Sequence, residues 1–184
     1  IDEDGHVTSS YDIAIMSREL ITKHPKIMEY TTIWMDSLRD GKSELVNTNK
    51  LVRNYAGCTG LKTGSTSVAL FNLSATATRD DLSLIAVIMR GETSKIRFAE
   101  AQKLLDYGFS NYQYALCGNK GDVIRDVKVN KGLTPTVELT LENDCGALIK
   151  KGQNKNITSN IKIGDNISAP IKQGGKLRRS RILY

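Results

Sequence analysis

One short segment of the chain, residues 60–66 (GLKTGST), carries residue types that can hold an anionic group. Lys62 offers a cation, Thr63 offers a hydroxyl donor, and Gly64 offers a backbone without a side chain. A lysine and a hydroxyl can both bind a carboxylate, and a glycine lets another backbone approach the chain closely. A Lys-Thr-Gly tripeptide also occurs by chance at ordinary turns and strand ends, so its surroundings must decide between these interpretations.

The residues before this segment predict helices and a hairpin. Ser and Thr caps followed by apolar residues at helical spacing predict a helix over 9–23, with a short helix or turn around 25–31. An Asp-Gly pair at 40–41, between two extended runs, predicts a β-hairpin over 32–47. The asparagines Asn47 and Asn49 are interpreted as residues that order a turn.

The residues after the segment predict a meander of antiparallel strands and a helix. Strands are predicted over 69–78 and 82–90. A helix is then predicted from Thr93 or Ser94 to Tyr107, ended by Gly108. Because a helix packed on antiparallel strands is an α+β arrangement, the predicted class of this part is α+β.

Composition and charge indicate a globular chain with two parts. The 184 residues are 40% hydrophobic, and no apolar run approaches the ~18 residues that cross a bilayer. The net charge of +6 is uneven, because residues 1–112 carry 13 basic and 14 acidic side chains whereas residues 113–184 carry 13 and 6. The three cysteines have neither zinc nor redox spacing, and we expect small, mostly buried thiols.

The residue pattern of 113–184 predicts a small all-β sandwich. Short extended runs separated by Gly, Asn and Asp turns predict strands over 123–129, 136–141, 147–150, 156–163, 166–171 and 176–184. The lysines of this part favour exposed edge strands, and an attraction to an anionic surface or a partner protein remains the alternative.

The order and spacing of several pieces over residues 3–112 resemble a known family. The pieces include HVTSSYD at 6–12, NTNKL at 47–51, YAG at 55–57, GLKTGST at 60–66, NLSATA at 72–77, LIAVIM at 84–89 and KLLDYGF at 103–109. They resemble the serine-type D-alanyl-D-alanine carboxypeptidases, low-molecular-mass penicillin-binding proteins that trim peptidoglycan stem peptides. The resemblance implies that residues 1–112 are the C-terminal half of a penicillin-binding or β-lactamase-like transpeptidase domain, with a small β domain at 113–184.

The resemblance also implies roles for five residues. Lys62 and Thr63 would hold the terminal carboxylate of D-Ala-D-Ala, and Gly64 would let the peptide pair with an edge strand. The main-chain N–H of Ser65 would be an oxyanion-hole donor. Arg97 is a second candidate contact to the substrate carboxylate, with an ordinary surface arginine as its alternative. No metal or cofactor is implied.

Two of the three family motifs are not in their expected places. The chain contains no Ser-x-Asn, and its single Ser-x-x-Lys, residues 159–162, follows Lys-Thr-Gly instead of preceding it. We therefore expect the acylated serine and its lysine on an N-terminal half that this chain, which begins at Ile1, does not include. Cys58 has no local signal for a reactive thiol. A departure from the family occurs at Leu70, because many members have Ala-Gly-Tyr where this chain has Ala-Leu-Phe at 69–71.

The expected partners follow from the resemblance. They are a stem peptide ending in D-Ala-D-Ala, β-lactams and the N-terminal half of the same protein, outside the cytoplasm in the cell envelope, with peripheral attachment to the membrane or wall as a possible addition. The alternative function is a catalytically inactive module that binds peptidoglycan peptides or acts as a scaffold. Nucleic acid is not an expected partner, because the basic part has few aromatics for stacking.

Overall fold

The computed structural model describes residues 2–153, 167–172 and 174–175. The chain forms two compact units, Ile1–Asn111 and Tyr112–Tyr184. None of the helices in the described residues is long and apolar enough to cross a membrane.

Three helices precede or flank the motif. The first, α1, spans Ser10–Lys23 and begins with a capping box, in which Ser9 Oγ accepts from the Asp12 amide and the Asp12 carboxylate accepts from the Ser9 amide. The second, α2, spans Ile27–Thr31. Both predicted helices are confirmed. The single turn of α3, Leu51–Asn54, was not predicted, because four residues are too few to show a periodic pattern.

The predicted hairpin is confirmed. It consists of β1, Met35–Leu38, and β2, Ser43–Val46, paired antiparallel with Leu38 opposite Ser43. Gly41 in its loop has a φ of +85°, a conformation that glycine adopts without steric cost.

The centre of the first unit is a three-stranded antiparallel sheet. Its strands are β3, Cys58–Thr66, β4, Leu70–Arg79, and β5, Leu82–Gly91, in the order β3-β4-β5. The two strands predicted after the motif are therefore confirmed to within one residue at each end. Because β4 lies in the middle, β3 is an edge strand of this sheet in the described part of the chain.

The two faces of the sheet carry different helices. On one face, Ser74 of β4 makes a buried hydrogen bond to Ser17 of α1, 2.8 Å between the hydroxyl oxygens. On the other face, Leu84 of β5 packs against α4, which spans Ser94–Asn111. The predicted end of this helix at Gly108 is wrong. A Cβ at Gly108 would lie 2.4 Å from Leu84 Cδ1, so this glycine permits close packing and does not end the helix.

The second unit consists, in its described residues, of short strands. They are β6, Tyr112–Gly118, β7, Val123–Lys128, β8, Thr136–Thr140, and β9, Cys145–Lys150. Strand β6 pairs with β9 and β7 pairs with β8, in both cases antiparallel. Strand β6 was not predicted. The predicted strands over 156–163 and 176–184 lie outside the described residues. The α+β class followed by a β unit is confirmed.

The cysteines are less buried than expected. Cys117 is exposed, and Cys58 and Cys145 are only half-buried. The expectation of mostly buried thiols is therefore wrong. Cys117 and Cys145 lie on the two-stranded β6–β9 sheet, which covers little of its own surface, and Cys58 lies at the start of the edge strand β3.

Candidate functional site

The Lys-Thr-Gly motif lies on β3, the edge strand of the central sheet. The outer edge of β3 has no strand beside it among the described residues. An edge of this kind presents main-chain N–H and C=O groups that can pair with an extended peptide. Along it, Lys62, Gly64 and Ser65 are exposed whereas Thr63 is buried.

The Lys62 side chain lies on the face of the sheet that carries α1. Its register partner on β4 is Ser74, which bonds to Ser17. The ammonium group contacts the main-chain oxygen of Thr63. Among the described residues, no carboxylate lies within salt-bridge distance of Lys62. The strand therefore presents an exposed cation whose charge is available to a ligand.

Thr63 has a hydroxyl partner from a neighbouring segment. Its side chain is only 7% exposed, and its Oγ1 lies 2.6 Å from Oγ1 of Thr48. Thr48 itself is exposed and precedes α3. No residue pattern marks the Thr48 hydroxyl as functional, although the asparagines on either side of it signal a turn.

Those asparagines fix the backbone around Thr48, as predicted. Asn47 Oδ1 accepts from the Asn49 amide at 2.9 Å, and Asn49 Oδ1 accepts from the Leu51 amide at 3.2 Å. Asn47 Nδ2 also donates to the carbonyl oxygen of Ile33 at 2.9 Å. Side-chain bonds of this type stabilise turns and helix starts. They hold the Thr48 hydroxyl beside β3.

Arg97 approaches the motif from α4. Its Nη1 donates to the carbonyl oxygens of Gly64, at 3.3 Å, and Asn72, at 3.2 Å, and its Nη2 donates to Ser94 Oγ at 3.3 Å. The side chain is 7% exposed, so the alternative of an ordinary surface arginine is wrong. The guanidinium connects the glycine of the motif to the neighbouring strand.

The surroundings of Arg97 leave its charge uncompensated within the described residues. Its guanidinium carbon lies 4.8 Å from the ring centre of Phe98 and 5.4 Å from that of Phe71, and Nε has no hydrogen-bond partner. Burial lowers the pKa of this guanidinium. No carboxylate of the described residues lies within salt-bridge distance. Because a buried unpaired cation is costly, a bound anion near Gly64 would be stabilised.

The turn after the motif holds Leu70 in an unusual backbone conformation. This residue has a φ of +53°, in the left-handed region that a glycine adopts readily and a leucine does not. Asn72 stabilises the turn, since its Nδ2 donates to the carbonyl oxygens of Ala69 and Leu70 and its Oδ1 accepts from the Arg90 amide. These hydrogen bonds hold the turn in this shape with a leucine in it. Ser65, whose main chain is the candidate oxyanion donor, lies opposite Phe71.

An apolar cavity lies beside the motif, between α1 and the sheet. Its volume is about 300 Å³, and Lys62, Thr63 and Gly64 contribute to its wall. Three apolar side chains in the same wall are partly exposed, namely Met16 (58%), Leu20 (37%) and Met89 (37%). A cationic group and an unfilled apolar surface therefore share one side of the sheet.

The other candidate chemistry near the motif is inert. Burial raises the pKa of the Cys58 thiol, which donates to the carbonyl oxygen of Gly60, so Cys58 stays protonated at neutral pH. Within the described ranges, no group of three or more His, Cys, Asp or Glu side chains could hold a metal ion.

Comparison with known proteins assigns the first unit to a family. The model of the D-alanyl-D-alanine carboxypeptidase family matches residues 1–93, half of the chain. The chain belongs to this family. A model of the C-terminal domain of penicillin-binding protein 5 matches residues 112–181. The resemblance inferred from the sequence is thereby confirmed.

Individual members of the D-alanyl-D-alanine carboxypeptidase family match over nearly the whole chain. The carboxypeptidase DacF of Bacillus subtilis is 40% identical over 181 residues, which is 96% of this chain and 46% of DacF. DacC of Escherichia coli is 29% identical over 95% of this chain and 44% of DacC. This chain therefore spans less than half the length of these curated relatives.

Solved structures have the same fold. Penicillin-binding protein 5 from Haemophilus influenzae superposes with a TM-score of 0.75 and 28% identity, covering 99% of this chain and 56% of that protein. Penicillin-binding protein D2 from Listeria monocytogenes, solved in a cefotaxime-bound form, superposes with a TM-score of 0.55 and 32% identity. The latter covers 59% of this chain and 44% of that protein.

Proposed function

We propose that this chain is the substrate-carboxylate-binding part of a serine D-alanyl-D-alanine carboxypeptidase, and that the nucleophile lies on another segment of the full-length protein. The observation that carries the proposal is the exposed Lys62 ammonium beside Thr63 on the free edge of β3, with no carboxylate at salt-bridge distance in the described residues. Residues 1–112 would be the C-terminal part of the catalytic domain, and residues 113–184 a small β domain.

In the proposed reaction, the serine hydroxyl attacks the carbonyl carbon between the last two residues of a stem peptide ending in D-Ala-D-Ala. The peptide bond breaks, the terminal D-Ala leaves, and water then hydrolyses the acyl-enzyme ester. Lys62 and Thr63 hold the terminal carboxylate in place. The main-chain N–H of Ser65 stabilises the oxyanion of the tetrahedral intermediate. β-Lactams acylate the same serine.

Arg97 supports this site from α4. Its guanidinium holds the carbonyl oxygens of Gly64 and Asn72, and so fixes the end of the motif that the peptide approaches. Its uncompensated positive charge adds to that of Lys62. An anionic peptide end is therefore favoured over a neutral one, because it is attracted to both positive charges.

Two features favour a nucleophile on another segment. The sequence lacks Ser-x-Asn, and its Ser-x-x-Lys at 159–162 follows the motif and lies outside the described residues. The apolar wall formed by Met16, Leu20 and Met89 beside Lys62 is the kind of surface that a packed segment covers. We propose that the N-terminal half of the full-length protein covers it and brings the serine to the motif.

The proposed location is the outer side of the cytoplasmic membrane, where peptidoglycan is found. The basic residues of the second unit would then strengthen a peripheral attachment to an anionic wall or membrane surface. This attachment is separate from substrate binding, because the charge excess belongs to residues 113–184 and not to the motif.

The test measures the release of D-Ala from a D-Ala-D-Ala peptide by the full-length protein. Lys62→Ala should lower kcat/KM about tenfold to a hundredfold, because a charged contact to the carboxylate is lost. The matched control is Lys103→Ala, which removes an exposed lysine of α4 that pairs with Glu100. We expect this control to stay within about twofold of the wild type. Equal activity of the Lys62 variant and the control would contradict the proposal.

The inactive-module alternative predicts a different result. A full-length protein of that kind would bind the peptide without releasing D-Ala, and its gene would encode no Ser-x-x-Lys upstream of residue 1. Peptide binding measured by calorimetry in the absence of D-Ala release would therefore favour the scaffold function.

A further inference from the structure

We infer that Thr48 is a positioning residue that sets the direction of the Thr63 hydroxyl and thereby selects substrates with a terminal carboxylate. The inference rests on the proposed function, since it concerns the same ligand. It begins from the two hydroxyl oxygens, which lie 2.6 Å apart. This distance is typical of a strong O–H···O hydrogen bond.

The chemistry of the ligand decides which hydroxyl donates. Each threonine hydroxyl has one hydrogen. One of these two hydrogens lies in the bond between Thr48 and Thr63, and the other is left for another acceptor. A carboxylate can only accept, so a Thr63 hydroxyl that binds it must point its own hydrogen at the ligand. Thr48 must then donate to Thr63. The reverse order would turn oxygen lone pairs of Thr63 towards the anion and repel it.

The surroundings of Thr48 hold its hydroxyl beside that of Thr63. The hydrogen bonds of Asn47 and Asn49 to the neighbouring backbone hold Thr48 at a fixed place next to β3. Thr63 is buried, so water does not readily replace Thr48 as its partner, whereas Thr48 is exposed at the rim. With Thr48 as the donor, its hydroxyl and the buried Thr63 hydroxyl form a short hydrogen-bonded chain that ends at the ligand.

A second threonine pair on the same strand provides a matched control. Thr59 Oγ1 donates to Thr76 Oγ1 at 2.8 Å, across β3 and β4 and three residues before Lys62. Removing the hydroxyl of Thr48 or that of Thr59 deletes one Thr–Thr hydrogen bond of similar length. Only the Thr48 pair includes a residue of the motif.

The experiment compares acylation of the full-length protein by benzylpenicillin, which has a carboxylate, and by its methyl ester, which does not. Thr48→Val should lower the acylation rate constant for benzylpenicillin roughly tenfold and leave that for the ester within about twofold. Thr48→Ser should restore the rate, because it returns the hydroxyl. Thr59→Val should leave the ratio of the two rate constants unchanged.

A double-variant comparison protects the test against a purely structural effect. In a Thr63→Val background, Thr48→Val should cause no further loss, since the hydroxyl that it orients is gone. Independent losses for the two substitutions, or an equal loss for the acid and the ester, would overturn the inference. A wild-type protein that neither compound acylates would instead contradict the proposed function, so the two failures are distinguishable.

Discussion

Arg97 on α4 and Gly64 on β3 are joined by a hydrogen bond, 3.3 Å from the guanidinium Nη1 to the glycine carbonyl oxygen. The same nitrogen donates to the carbonyl oxygen of Asn72 on β4 at 3.2 Å. One buried side chain therefore holds the ends of two neighbouring strands at the point where the motif meets its turn.

Replacing Arg97 by lysine should destabilise the full-length protein by about 2 kcal/mol. A lysine keeps the charge but loses the planar set of donors that reaches Gly64, Asn72 and Ser94 together. Urea unfolding measures the difference. Arg125→Lys, at an exposed position of β7, is the control and should change the free energy of unfolding by less than about 0.5 kcal/mol. An Arg97 variant as stable as this control would show that the three contacts contribute little.

We expect the titration of Tyr55 to lower the stability of the protein at high pH. Burial, and then its hydrogen bond to Asp106, raises the pKa of Tyr55 to about 12. Since the unfolded phenol titrates near 10, the unfolded state loses its proton first as the pH rises. The stability from this group is complete below about pH 10 and is lost between about pH 10 and 12.

The Tyr55→Phe variant isolates this contribution. The difference in free energy of unfolding between wild type and variant should shrink by about 2 kcal/mol from pH 9 to pH 12. Denaturant titrations at each pH measure it, and absorbance at 295 nm reports the phenolate. A difference that stays constant across this range would contradict the pKa assigned to Tyr55.

We expect replacement of Leu70 by glycine to affect stability in an unusual way. Leu70→Gly and Leu70→Ala remove nearly the same side-chain contacts, but only glycine adopts a φ near +53° without strain. We expect the glycine variant to be more stable than the alanine variant by about 1 kcal/mol, in contrast to the usual order of these residues. Thermal unfolding of the two proteins gives the comparison, and the opposite ranking would mean that the turn at Leu70 carries no strain.

The sequence predicts elements whose signals are local. Ser9 and Asp12 predict the start of α1, and Asp40-Gly41 predicts the hairpin, because capping and turn residues act within a few positions. Gly108 shows the limit of this approach. A glycine is a common helix end, and only the neighbouring strand, with Leu84 at its closest approach, shows why one lies inside α4.

The candidate site was predictable only in part, because sequence signals are local and some of its contacts are not. Lys62, Thr63 and Gly64 are consecutive, and the pieces of sequence around them identify them as a candidate carboxylate-binding strand. Thr48 is separated from Thr63 by fifteen positions, and no sequence pattern says that their hydroxyls meet. The burial of Arg97 likewise depends on how α4 packs on the sheet. Contacts between residues that are far apart in the sequence can be seen only in the folded structure.

The most direct test of the proposed function is to locate the penicillin adduct on the full-length protein by mass spectrometry of its peptides. We expect one acylated serine, in a Ser-x-x-Lys sequence on a segment that precedes residue 1 of this chain. We also expect Lys62→Ala to slow the formation of this adduct. An adduct on any serine of residues 1–184, Ser159 included, would contradict the central claim, and so would a full-length protein that carries no adduct.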